Sequence, residues 1–305
     1  MSVGIASDRI ASEEQHRLHK PGVAGSSPAA AIHGDSVTID HEPAEVHHSR
    51  PGVSASQLKT LAHSPVEFYH RYIEGEVSPR KSAALEYGTL LHLWAELGEE
   101  KFWDTARQYP EAVLTATGQL GKDAKAFAAE QPAGTILVTP TDWRNLYAQT
   151  RQLLANPAVT YLIDGTIDRE FNCQWQWGDH ACRCRTDAAT ESVWFDWKTT
   201  READPRRRAF SIIREWHYGI QAAFYGEAAA LAGWPRHSMR FILTSTTSHL
   251  CCVVHLPMEQ IEVERRRCLM LLEELKQRRE WNQWVPAYYG EDIEIEVPNW
   301  AKEVE

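Results

Sequence analysis

The chain has no stretch of about eighteen consecutive apolar residues, so no membrane-spanning segment is expected. Its N-terminus lacks a positively charged start followed by an apolar run, which speaks against a secretory signal. Cysteine is sparse. The six present are Cys173, Cys182, Cys184, Cys251, Cys252 and Cys268, several of them on strand-like sequence, as suits buried thiols in a reduced, cytoplasmic protein. Cys182 and Cys184 would share one face of a strand, but such a pair alone is a poor zinc signal. Residues 1–49 contain no aromatic side chain and few large apolar ones, and are read as a disordered tail. The histidines there, among them His33, His41, His47 and His48, are spaced too irregularly for a metal tract and fit a solvated linker. Positive charge is also in deficit. The net charge of −10 argues against indiscriminate contact with polyanions, so basic groups must be weighed locally.

What is present is core-forming. A length of 305 residues with 43% hydrophobic content and twelve tryptophans supports one large domain, placed at 50–290, with an acidic tail at 291–305. Basic residues cluster at Arg183 and Arg185, at Lys198 and Arg201, at Arg206, Arg207 and Arg208 with Arg214, and at Arg265, Arg266 and Arg267. The Arg206–Arg208 group follows a strand directly and is a candidate for backbone phosphates. The Arg265 run reads as a solvated helix face.

The densest chemistry lies between Asp187 and Lys198. Residues 181–189 and 193–199 both read as strands, the second carrying Val193, Trp194, Phe195 and Trp197. If Glu191 and Ser192 form a two-residue loop, Thr190 pairs with Val193, and counting back sets Asp187 opposite Asp196. Asp196 and Lys198 then share a face while Trp197 points to the other. Directly opposed residues have Cβ atoms about 4.5–5.5 Å apart, where two carboxylates repel. A divalent cation reverses that sign. Two anions able to hold Mg²⁺ beside a lysine are what metal-assisted phosphodiester hydrolysis needs. A bare D-x-K is short enough to occur on any solvent-facing hairpin, so the register with Asp187 matters.

Residues 206–232 read as one helix, with Ile212, Ile213, Trp216, Ile220, Ala223, Phe224 and Leu231 at spacings of three and four, and Gly233 as a stop. His217, Gln221 and Tyr225 make one row beside that stripe, placed to hold a phosphate or a water. Upstream, 166–177 is an alternating strand with Gly178-Asp179 as a turn signal. Downstream, 239–245 and 250–256 read as strands. Residues 258–284 read as a closing helix, with Ile261, Leu269, Leu272 and Leu275 inward. The segment 115–132, with Lys122 and Lys125, has little periodicity and is a candidate lid or DNA-contacting loop.

Asp187, Asp196-Trp197-Lys198 and Gln221-Ala-Ala-Phe-Tyr225 together resemble the PD-(D/E)xK nucleases of the RecB and lambda-exonuclease group, with their Q-x-x-x-Y motif. Gly88-Thr-Leu-Leu-His92 is similar to the helical G-x-x-x-H motif of that group. Residues 54–65 followed by Phe68-Tyr69 are similar to the start of the exodeoxyribonuclease VIII (RecE-type) nuclease domain. The resemblance spans roughly 51–287, and the order and spacing of its motifs are more specific than any one of them. It implies an α/β fold with a mixed central sheet flanked by helices. Asp187 and Asp196 become metal ligands, with His92 an additional ligand and Glu170 an acidic edge position. Asp168, two residues from Glu170, competes for that last assignment. Lys198 becomes the catalytic lysine, and Gln221 and Tyr225 support substrate or water. The residue between Asp196 and Lys198 departs from the family's aliphatic preference. Some relatives carry an iron–sulfur cluster, but here no early cysteine and no late C-x-x-C is present, so none is expected.

The resemblance further implies a Mg²⁺-dependent exodeoxyribonuclease, with Mn²⁺ as substitute. It would degrade linear double-stranded DNA from its ends, 5′ to 3′, in phage or prophage recombination. The implied partners are duplex ends, a single-strand annealing protein and further copies in a homo-oligomeric ring. Three competing readings share the sequence. One is a single-strand or flap nuclease, or a nicking enzyme. Another is an inactive DNA-end-binding or assembly protein on the same fold, against which the presence of Asp187, Asp196 and Lys198 counts. The last is an unrelated α/β binding protein.

Overall fold

The computed structural model describes residues 36–75 and 83–285, with a few more between 290 and 296. It opens with Val37–Asp40 (β1) and Ala44–Ser49 (α1), followed by Ala55–His63 (α2), Pro65–Tyr72 (α3) and Ala83–Leu97 (α4). An intervening region carries Glu99–Thr105 (α5), Ala106–Gln108 (β2), Ala124–Ala129 (α6), Ile136–Val138 (β3), Pro140–Leu154 (α7) and Pro157–Asp164 (α8). Then come Thr166–Trp177 (β4), His180–Thr190 (β5), Trp194–Thr200 (β6), Pro205–Glu215 (α9), Tyr218–Leu231 (α10), Arg240–Ser245 (β7), Cys251–Val254 (β8) and Met258–Trp281 (α11).

Several helices start on one local device. A side chain accepts a backbone N–H of the first turn, and a proline follows that has no N–H to leave unsatisfied. Ser64-Pro65, Thr139-Pro140, Asn156-Pro157 and Asp204-Pro205 open α3, α7, α8 and α9 in this way. Helix α2 instead begins with a reciprocal capping box between Ser54 and Gln57.

Among the described residues the main sheet has the order β1-β4-β5-β6-β7-β8. Its pairings are antiparallel except β6 with β7, which run parallel. Helices α9 and α10 supply the crossover that a parallel pair requires. Side-chain alternation splits the interior in two. Trp194, Phe241 and Leu243 enter one core with Leu58, Leu61, Phe68, Phe224 and Leu272. Phe195, Trp197 and Ile242 enter the other with Leu91, Trp94, Phe102 and Leu146. The mixed α/β sheet flanked by helices is the architecture expected from the sequence.

Several expectations need correction. The region read as one helix over 206–232 is two, broken at Trp216-His217, where His217 adopts a left-handed backbone (φ 50°). Neither Trp216 nor His217 is a glycine or proline, and the apolar period runs through them. The folded part also begins before residue 50, because β1 pairs with β4 through Val37↔Trp175 to Asp40↔Asn172. Residues 1–35 and most of 291–305 lie outside the described residues, and with them most of both expected tails. On α11 the inward side is Ile261, Cys268, Leu271, Leu272 and Leu275, whereas Leu269 is exposed. Arg265, read as solvated, binds the Glu227 carboxylate at 2.8 Å. Segment 115–132 contains the short helix α6. Among the described residues no helix is long and apolar enough to cross a membrane.

Gly226 of α10 allows a close chain approach. A Cβ there would stand 2.2 Å from the carbonyl oxygen of Arg236, a backbone atom that cannot rotate away. Gly226→Ala is therefore expected to destabilise the fold by about 1–3 kcal/mol, seen as a lower Tm. An unchanged Tm would mean that the loop at Arg236 yields freely.

Candidate active site

The hairpin β5–β6 sets the geometry. Thr190 N–H donates to the Val193 carbonyl at 2.8 Å, and the Thr190 hydroxyl accepts from Val193 N–H at 3.1 Å, closing the turn over Glu191 and Ser192. Ala189 pairs with Trp194 and Ala188 with Phe195, the register that sets Asp187 against Asp196. Beyond that pair the ladder changes character. Trp197 N–H donates at 2.8 Å to the Asp187 carboxylate instead of to a strand carbonyl. An acidic side chain thus stands in for backbone at the point where the strands part.

Three expected ligands converge there. Oxygen atoms of Asp187 and Glu170 and a ring nitrogen of His92 lie within 4.8 Å of one another. His92 comes from α4, with Nδ1 at 3.4 Å from Asp187 Oδ2. Glu170 comes from β4, where it has a left-handed backbone (φ 50°) inside an otherwise extended strand. Such a conformation costs of order 1–3 kcal/mol in a non-glycine residue and is characteristic of functional sites. The Arg185 guanidinium holds the Glu170 carboxylate at 2.9 Å. Asp168, the competing acid, is drawn off to His41 at 2.7 Å.

The fourth expected ligand is engaged differently. Asp196 is buried and forms an ion pair with Lys198 on the same strand face. Trp197 points the opposite way, packed edge-on against Trp94. Burial, and then the charge of Asp196, raise the Asp187 carboxyl well above the usual carboxylate range, against the pull of Lys198 and of Trp197 N–H. Burial alone would depress the Lys198 ammonium, but Asp196, Tyr218 and Asp187 together outweigh it and hold the group above the ordinary lysine value. His92 is lowered, chiefly by burial. A divalent cation suits this donor set, because two carboxylates and an imidazole offer lone pairs to one point while their own charges repel.

A cleft of about 910 Å³ opens onto His92 and Lys198 and is also lined by Thr199, Arg201, Trp216 and Tyr218. His48, from the stretch read as tail, lines it as well. Arg206, Arg207 and Arg208 are not among the lining residues; they are exposed on the first turn of α9. Arg208 reaches within 3.6 Å of Glu202, which does line the cleft, so the cluster stands beside the mouth.

The Q-x-x-x-Y pair splits its duties. The Tyr225 hydroxyl donates to the Arg185 carbonyl at 2.9 Å, fastening α10 to β5 two residues before Asp187. Gln221 Oε1 accepts from the Lys59 ammonium at 3.3 Å. Lys59, Trp216 and Tyr218 escaped sequence reasoning as site residues. Lys59 lies 162 positions from Gln221 on the border of an apolar helix face, with no local signal. Trp216 was assigned to a buried stripe but is 57% exposed, because the break at His217 turns it out into the cleft.

No curated protein sequence matches the chain. The fold is similar to the crystal structure of a "putative exonuclease" from Eubacterium rectale, with a TM-score of 0.57 at 12% identity, covering 84% of this chain and 96% of that one. Residues 54–292 match the family described as "PDDEXK-like domain of unknown function (DUF3799)". That match takes in the hairpin, His92, Gln221 and Tyr225, and by it the chain belongs to this PDDEXK-like family.

Proposed function

We propose that the chain is a metal-dependent deoxyribonuclease that degrades linear duplex DNA from its ends. The observation that carries the reading is the convergence of Asp187, Glu170 and His92 within 4.8 Å, beside the Asp196–Lys198 pair. Those three residues, with Asp196 next to them, would hold the cation. When bound, Mg²⁺ or Mn²⁺ would supply Lewis acidity toward the phosphoryl oxygens and toward water.

The chain's own groups do the rest. Lys198, its ammonium held above the ordinary lysine value by its carboxylate neighbours, is placed to donate hydrogen bonds to the attacked phosphate or the incoming water and to stabilise the charge that builds there. Asp196 fixes the direction of that ammonium. Tyr225 holds β5 in place. Arg206, Arg207 and Arg208 at the start of α9 take backbone phosphates outside the cleft. Action 5′ to 3′, a ring of copies, a single-strand annealing partner and a place in phage-type recombination rest on the RecE-type sequence resemblance.

A single-strand or flap nuclease is the second reading, favoured by Trp216. An exposed tryptophan in a phosphodiesterase cleft is a stacking surface for an unpaired base.

The test uses linear duplex labelled at the 5′ or the 3′ end, beside closed circles and single strands, with Mg²⁺, Mn²⁺ or EDTA. Release of 5′ label from linear duplex with either metal, and none with EDTA, is the expected result. Faster cutting of single strands would favour the second reading. No cutting of any substrate with either metal would overturn both. Either ion should also raise Tm in the absence of DNA. An unchanged Tm would argue against a built metal site.

A further inference from the structure

Lys59 is a half-buried cation. It sits on α2, one face of which is packed into the core by Leu58 and Leu61. Its ammonium lies 3.3 Å from the amide oxygen of Gln221 and 5.1 Å from the centre of the Tyr218 ring. Lys198 lies 5.3 Å from the centre of that same ring. Among the described residues no carboxylate pairs with Lys59, although Lys198 has Asp196. Burial, followed by the charge of Lys198, pushes the Lys59 ammonium down to about 8, against the weaker pull of Asp196.

The surroundings hold further basic side chains. His63 is one turn further along α2. His217, whose imidazole is lowered by burial first, also feels Arg267 of α11, His63 and Lys59. Among the described residues Arg267 has a loose partner in Glu264 at 3.7 Å. A half-buried cation held by an amide and a ring face is favoured further by an anion that offsets it.

We propose that Lys59 binds a backbone phosphate of the strand being cut, next to the phosphate facing Lys198, with Gln221 as its positioning partner. Tyr218, stacked on Phe241 at 5.3 Å, carries both ammonium groups near its ring. The site lies on the α2 and α10 side and is separate from the arginine cluster of α9. It rests on the nuclease reading, because it needs a polyanionic strand that reaches past Tyr218, which lines the cleft, to Lys59, which does not.

The test measures binding of duplex and single-stranded oligonucleotides, with Ca²⁺ in place of Mg²⁺, to the wild type, Lys59→Gln and Lys59→Arg. Lys59→Gln is expected to bind about tenfold more weakly at low salt. Its slope of log affinity against log salt should be shallower by about 0.7–0.9. Lys59→Arg should keep the wild-type slope, which a merely structural lysine would not require. Oligonucleotides with one methylphosphonate, scanned along the strand, locate the contact. One position should weaken the wild type and Lys59→Arg but leave Lys59→Gln unaffected. Equal sensitivity of Lys59→Gln and wild type at every position, or equal salt slopes, would overturn the assignment while leaving the nuclease reading in place. A wild type that neither binds nor cuts DNA would overturn both.

Discussion

Lys198→Gln is expected to lower the rate of DNA cleavage by roughly 10³-fold, with circular dichroism unchanged. The amide can still donate to Asp196, so that buried carboxylate keeps a partner. What disappears is the positive charge, held above the ordinary lysine range by Asp196, Tyr218 and Asp187 against the opposing effect of burial. Removing Lys198 with an apolar residue would be a poorer experiment. It would leave Asp196 buried and unpaired, a defect worth about 3–5 kcal/mol in its own right. Metal-induced stabilisation should survive in Lys198→Gln, because the three converging ligands do not include the lysine. Cleavage at more than a tenth of the wild-type rate would remove Lys198 from the chemistry.

Asp187→Asn is expected to abolish cleavage and metal-induced stabilisation while raising the Tm of the metal-free protein. The side chain is 12% exposed, faces Asp196 and stands in one cluster with Glu170. Burial and these like charges hold its carboxyl well above the usual range in the folded state. A native carboxyl raised above its unfolded value binds more protons than the unfolded chain. Its contribution is therefore complete below the unfolded value and is lost as pH rises through the folded one. At neutral pH the metal-free protein carries that penalty, and asparagine removes it. The amide keeps a carbonyl oxygen for Trp197 N–H, so the strand contact survives. In a domain of this size each kcal/mol relieved is worth about 2–4 °C. The advantage should shrink on the acid side, where the wild-type carboxyl is protonated. A Tm below that of the wild type at neutral pH, or a Mg²⁺ shift that persists, would contradict this account.

The parts of the site that were legible in the sequence are those fixed by short-range geometry. A two-residue turn after Thr190 sets the hairpin register, and strand alternation then puts Asp196 and Lys198 on the face opposite Trp197. The pairing of β4 with β5 across Gly178-Asp179 follows from the same rule. What was illegible depends on distant packing. The left-handed turns at Glu170 and His217 lie in sequence that reads as plain strand and plain helix. Each needs the rest of the fold to hold it. The nearness of Lys59 to Gln221 joins residues on helices far apart in sequence. The strand ahead of residue 50 was hidden by a composition typical of unstructured chain, and β4 supplies the partner that makes Val37–Asp40 a strand.

The borrowed acceptor at Trp197 gives the site its own spectroscopic handle. Its amide proton is held by one oxygen of Asp187, the group that a cation would claim. The nitrogen chemical shift and solvent-exchange rate of this one amide should therefore follow occupancy of the centre before any DNA is added. A single backbone resonance could then rank ions by affinity and show whether a second ion enters, with no need for turnover.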